Sequence, residues 1–91
     1  MIYKIIMTKD ALKDIKALKK SGNKVAFEKL QILIKELKEH PTTGTGKPKQ
    51  LTGNRMGQWS RRITQHHRLV YIISNDIIEV LILSVINHYD K

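Results

Sequence analysis

The spacing of the apolar residues changes near the middle of this chain, and that change limits the fold more than any other feature of the sequence. Between residues 8 and 40 the spacing is helical. Ala11, Leu12, Ile15 and Leu18 recur on one stripe, with Lys9, Lys13, Lys16, Lys19 and Lys20 covering the other face. Ser21, Gly22 and Asn23 break that helix. A second one follows, with Phe27, Leu30, Leu33, Ile34 and Leu37 on its apolar side, ending near His40 because Pro41 disfavours helix in the residue before it. Beyond the loop-forming residues 41–48 the period drops to two. Trp59, Arg61 and Ile63 alternate with Ser60, Arg62 and Thr64; Arg68, Val70 and Ile72 alternate with Leu69, Tyr71 and Ile73.

Ile2, Ile5 and Ile6 read as a first strand, and Thr8 can cap the helix after it, with Asp10 favoured in its first turn. Asn75 and Asp76 mark a turn, so residues 68–74 and 77–86 should form a hairpin. The run 77–86 is apolar at nearly every position, which reads as a central strand buried on both sides. The expectation is an α+β fold of order β-α-α-β-β-β, with three or four strands in the second half. Its sheet would be antiparallel-rich, with a helical hairpin on one face. At 91 residues this should be a single domain spanning 1–91.

Charge is distributed as unevenly as hydrophobicity. The formal net charge is +9, and between Glu39 and Asp76 there is no carboxylate side chain. That gap holds Lys47, Lys49, all four arginines, His66, His67 and the only tryptophan. A stretch of this kind cannot neutralise itself. It reads as a solvated basic face, or as a surface for nucleic acid or an acidic protein. The absence of cysteine excludes disulfides, thiolate metal ligands and a Cys nucleophile. No apolar run approaches the ~20 residues of a membrane span, and the first ten residues are too interrupted for a signal peptide. A small, soluble, cytoplasmic protein is expected.

Three places could carry chemistry. Arg61 and Arg62 should point to opposite faces of the sheet, so they are not one unit. Arg68 opens the next strand. His88 and Tyr89 follow the last strand and could serve proton transfer, although a terminal His-Tyr pair is chemically inert in most proteins. His66 and His67 diverge on a strand and have no partner at ligand spacing, so no metal is expected. Several cations, one histidine and no acid suit cleavage of RNA by its own 2′-hydroxyl. That reaction needs a base, an acid for the leaving 5′-oxygen and positive charge on the pentavalent transition state. An obvious base is missing.

Residues 46–71, GKPKQL…GQWSRRITQHHRLVY, closed by His88 and Tyr89, resemble the YoeB/Txe branch of the RelE/ParE toxin superfamily. The resemblance runs the length of the chain. It implies a microbial-RNase-like fold and a ribosome-dependent mRNA endonuclease (an mRNA interferase) of a type II toxin–antitoxin system. Such an enzyme acts on mRNA in the ribosomal A site without metal or other cofactor. The implied partner is an acidic antitoxin of the YefM/Phd kind, with a homodimer left open and no membrane involved. Carried over by motif position, Arg68 would stabilise the scissile phosphate, His88 would be the general acid and Tyr89 would orient beside it. Arg62 would hold RNA, with Lys47 and Trp59 as weaker candidates in the same region.

One residue departs from the family pattern. Where the family places a glutamate general base after G-K-P, this chain has Lys49. The chain could be a disarmed form; Lys49 could act as base or electrostatic stabiliser, as in the RelE branch; or another group could serve. Two rivals therefore stand beside the nuclease: a non-cleaving module that binds ribosomes or nucleic acid, and a gyrase-directed relative of ParE. The W-S-R-R-I stretch and the terminal His-Tyr argue against the second.

Overall fold

The computed structural model describes residues 1–86. Strand β1 (Lys4–Met7) leads into helix α1 (Lys9–Lys20) and helix α2 (Lys24–Leu37). After a loop come β2 (Lys49–Gln50), a 3-10 turn (Gly53–Arg55), β3 (Trp59–Arg62), β4 (Arg68–Ser74) and β5 (Glu79–Ile86). The five strands form one sheet in the order β1-β5-β4-β3-β2, with β1 parallel to β5 and every other pair antiparallel. The α+β reading holds. Strand β2 brings the second-half strands to four; at two residues it is too short to show a period.

Both helices start where their caps dictate. The Thr8 side chain accepts from the amide of Ala11 at 3.0 Å, and the Asn23 side chain accepts from Ala26 at 3.1 Å. Each satisfies a donor left over by the first turn, worth about 1 kcal/mol. The helices cover one face of the sheet. Ala11, Leu18, Ala26, Leu30, Leu33 and Leu37 meet Ile63, Leu69, Tyr71, Val80, Ile82 and Val85 in a single core. Leu12, assigned to the α1 stripe from spacing, is instead more than half exposed, at 55%.

Strand β5 corrects a second expectation. It is internal, flanked by β1 and β4, but the middle strand is β4. Nor is β5 buried on both sides: Val80, Ile82 and Val85 are buried against the helices while Glu79, Leu81 and Ile86 are half-buried on the other face. Leu81 and Ile86 are apolar residues on that other face, and the run owes Val85 to a different cause. Val70 pairs with Ser84 but Tyr71 pairs with Ile82, so β5 carries one extra residue at Leu83. This bulge reverses the phase of the alternation. Val85 thus turns to the helices, and Ser84 and Ile86 turn to the open face.

Strand β1 ends opposite Ile82, so β5 runs on past its parallel partner. The start of α1 takes over there. The amide of Thr8 donates to the carbonyl of Ile82 at 3.0 Å, its hydroxyl donates to the bulged Leu83 carbonyl at 2.8 Å, and the Asp14 carboxylate accepts from the amide of Val85 at 3.0 Å. The last described turn of chain before residues 87–91 is held in place by α1.

Candidate functional site

Two adjacent arginines on β3 divide the molecule. Arg61 alternates with Trp59 and Ile63, and so falls on the helix side of the sheet, where it is fully buried. A buried guanidinium is tolerable only when its charge and all five donors are answered. Here they are. Nε donates to the Tyr71 hydroxyl at 3.2 Å. Nη1 donates to Glu36 Oε1 at 2.8 Å and to the Thr45 carbonyl at 3.2 Å. Nη2 donates to the carbonyls of Thr43, at 2.7 Å, and His40. Tyr71 in turn donates to the Pro41 carbonyl at 2.7 Å.

The Glu36 carboxyl also accepts from the amide and hydroxyl of Thr45, at 2.8 and 2.6 Å. Burial pushes that carboxyl up, but the Thr45 hydrogen bonds and the Arg61 guanidinium together hold it below its ordinary value. Burial pushes the Tyr71 phenol up, offset in part by Arg61. One guanidinium therefore ties α2, β4 and residues 40–45 to the back of β3.

The consequence reaches the front. The amide of Arg62 donates to the carbonyl of Gly46 at 2.7 Å, which lays the clamped loop along β3 just before Lys47, Pro48 and Lys49. Gly44 and Gly46, at φ +117° and +86°, are there for want of space: a Cβ at Gly44 would meet Glu36 Oε1 at 2.5 Å, and one at Gly46 would meet the Arg62 carbonyl at 2.8 Å. Lys47 follows with φ 51°, a conformation a side chain adopts only under constraint.

On the open face the sheet register assembles the cations. Lys49 pairs with Ser60, Ser60 with Val70 and Val70 with Ser84; one step along, Arg62 pairs with Arg68 and Arg68 with Ile86. Lys49, Arg62 and Arg68 therefore share one face, with Lys49 diagonal to Arg62 at about 7–8 Å between backbones. Arg62 and Arg68 are direct cross-strand partners. Like charges in that arrangement repel, at a cost of some tenths of a kcal/mol or more. An anion lying between them would turn the repulsion into attraction, and the forked guanidinium suits a phosphate.

The other sequence candidates fall elsewhere. Lys47 is exposed on the loop beside the cluster. Trp59 is on the helix side, a cross-strand partner of Tyr71 and packed against the core, so the sheet separates it from Arg62 and Arg68. Its size serves the core there, not a base-stacking platform on the open face. His67 closes the turn between β3 and β4, its Nδ1 at 2.9 Å from the Thr64 hydroxyl. His88 and Tyr89 lie outside the described residues. Two features were not singled out from the sequence. One is the clamp role of Arg61, signalled by an arginine in phase with apolar neighbours. The other is an open pocket of about 750 Å³ at the outer edge of β2, walled by Lys49, Gln50, Arg55 and Gln58 among others. Its signal was the crowding of amide and hydroxyl side chains into residues 50–58.

The model of the YoeB-like toxin of bacterial type II toxin–antitoxin systems matches residues 7–89. The chain belongs to this family. It is 40% identical over 70 residues to the toxin YoeB of Synechocystis sp., covering 77% of this chain and 79% of the relative. In three dimensions it resembles the YoeB/ParE toxin from Agrobacterium tumefaciens, with a TM-score of 0.86 and 34% identity over 94% of this chain and 99% of the other. It also resembles the toxin in a YoeB–YefM complex from Staphylococcus aureus, with a TM-score of 0.78 and 32% identity over 98% and 100%. The YoeB-like fold thus carries the open-face cluster of Lys49, Arg62 and Arg68. No helix among the described residues is long and apolar enough to cross a membrane.

Proposed function

We propose that this toxin acts on RNA, as a ribosome-dependent endonuclease that cleaves mRNA through its own 2′-hydroxyl. The observation that carries this reading is the placement of Arg62, Arg68 and Lys49 on one sheet face within a stretch that has no carboxylate. In the proposed reaction the 2′-oxygen passes its proton to water or to the group that serves as base, and attacks the neighbouring phosphorus. The bond to the 5′-oxygen breaks, and that oxygen takes a proton. A 2′,3′-cyclic phosphate and a 5′-hydroxyl result. Extra negative charge builds on the non-bridging oxygens in the transition state, and Arg68 and Arg62 are placed to stabilise it. His88 would supply the proton to the leaving oxygen and Tyr89 would orient it. The reaction needs no metal or cofactor. Lys47 lies on the path of the RNA backbone; Trp59, behind the sheet, acts only by keeping β3 in place.

Lys49 stands where the family resemblance places a glutamate base, and this favours a second reading: a toxin that occupies ribosomes without cutting. The test sets this chain beside its Lys49→Glu version in a cell-free translation system, with mRNA 5′ ends mapped by primer extension. Cuts by the chain as it stands would mean that Lys49 takes part or that another group supplies the base, which a pH profile would then separate. Cuts by the Glu version alone would mark a disarmed nuclease. Ribosome binding without cuts by either would leave the binding module.

The partner we propose is an acidic antitoxin of the YefM kind, as in the S. aureus complex, in the cytoplasm. A +9 chain would associate with it fast and with steep salt dependence.

A further inference from the structure

The pocket at the outer edge of β2 is not used by the chemistry above, yet Lys49 belongs to both. Lys49 faces the open side of the sheet through its pairing with Ser60, and it also forms one wall of the pocket. The rest of the wall is built from Gln50, Leu51, Thr52, Asn54, Arg55 and Gln58. At about 750 Å³ the space falls within the ~300–1,000 Å³ of small-molecule sites.

The chemistry of this wall is narrow. Among the described residues it offers two cations, three carboxamides and a hydroxyl, and no carboxylate. Carboxamides present a donor and an acceptor side by side, which matches the edge of a nucleobase, adenine best of all. One of the three is already oriented: Arg55 Nη1 donates to the Gln58 carboxamide oxygen at 3.1 Å, which leaves the amino end as the group a base acceptor would meet. The backbone favours a fixed cup. Gly53 and Gly57, at φ +65° and +93°, make the tight bends on either side of Asn54 and Arg55, and the amide of Leu51 closes onto the Gln58 carbonyl at 2.9 Å. Leu51 itself is buried beneath.

We propose that this pocket binds one nucleotide of single-stranded RNA, with its base edge read by Gln50, Asn54 and Gln58 and its phosphate held by Lys49 and Arg55. The inference rests on the RNA-directed reading of the toxin. Because Lys49 is shared, the nucleotide in the pocket is continuous with the strand crossing Arg62 and Arg68. The pocket is then the element that gives the toxin a base preference, which a cluster of cations on phosphates cannot supply. The RNA could be the message or the ribosomal RNA around it.

The experiment has two arms. In the first, the full chain is titrated with each of the four nucleoside 5′-monophosphates and with inorganic phosphate, followed by NMR of the backbone and carboxamide signals. The expected result is a shift confined to residues 49–58 at millimolar nucleotide, strongest for one base. The affinity should fall at least about fivefold in the exposed-site variant Asn54→Ala, with no change in melting temperature. Equal shifts from inorganic phosphate alone, or none in this segment, would overturn the proposal. In the second arm, Met56→Cys, at an exposed position beside the pocket wall, gives a unique thiol in a chain that has no cysteine. A photo-crosslinker on that thiol is activated on translating ribosomes. A crosslink to mRNA or to ribosomal RNA names the source of the nucleotide. Crosslinks to neither, with mononucleotide binding intact, would sink the ribosomal reading of the toxin and leave the nucleotide pocket standing.

Discussion

Arg61 and Arg62 have the same side chain on consecutive residues of the same strand, and almost nothing else in common. Arg61 is fully buried, with every donor engaged and a carboxylate at 2.8 Å. Arg62 is exposed, with another arginine as its cross-strand partner. The first arrangement is what a protein does to make a charge safe; the second sets two like charges side by side, where an anion would bind well. The difference separates the helix side, where polar groups hold the fold together, from the other side, where Lys49 and Arg62 are exposed and Arg68 is half-buried. It follows that stability and RNA binding should be separable by mutation, one residue apart.

Removing the buried member should have the largest effect. Arg61→Ala leaves Glu36 and Tyr71 without their partner and releases residues 40–45, at a cost of about 3–5 kcal/mol. Urea unfolding of Arg61→Ala and the milder Arg61→Lys would measure it; an unchanged midpoint in both would break the comparison. Gly46→Ala comes next. Its Cβ would meet the backbone carbonyl of Arg62 at 2.8 Å in a left-handed conformation, so about 1–3 kcal/mol should be lost, read in the same way. Tyr71→Phe deletes the hydroxyl that accepts from Arg61 and donates to Pro41, and about 1–2 kcal/mol should go with it.

The pH dependence sharpens the same point. The Glu36 carboxyl is held below its ordinary value in the folded state, so its contribution is fully present above the unfolded pKa near 4.5 and is lost as pH falls through the lower folded value. Glu36→Gln should therefore be less stable near neutrality and lose less on acidification. An acid limb identical to that of the parent chain would remove Glu36 from the clamp. Arg62→Ala sits at the bottom of the stability scale. It relieves a like-charge pair and should alter stability by no more than about 0.5 kcal/mol, in either direction.

Much of this division can be read from the sequence, and the reasons it stops are specific. Alternation alone sets Arg61 and Arg62 on opposite faces, since period two leaves no choice. It also puts the hairpin 68–86 and the two helices in place. Alternation fails at Leu83, where a bulge reverses the phase, so an apolar run that spans both faces looks like a strand buried on both. For Trp59 the alternation holds, and what misleads is nearness in sequence. Closeness to Arg62 suggests a shared site, but an odd offset of three residues puts the two on opposite sides of the sheet. The Arg61 clamp is signalled only by an arginine in phase with apolar neighbours, and its partners cannot be read. They are one carboxylate, one phenol and three carbonyls scattered from Glu36 to Tyr71, and carbonyl direction leaves no trace in residue type. Lys49 is legible as a departure from the family pattern, and its place in a second pocket is visible only once β2 is folded against β3.

The central claim is that the open face binds RNA through charges that do not support the fold. Its most direct test is ribosome affinity as a function of salt for the parent chain and Arg62→Ala, with melting temperatures measured alongside. The account predicts weaker binding and an unchanged melting temperature. The log–log salt slope should be shallower by about 0.7–1, because one phosphate fewer is neutralised. An unchanged slope with unchanged affinity would contradict the claim, and so would a weakening of binding that tracks a fall in stability.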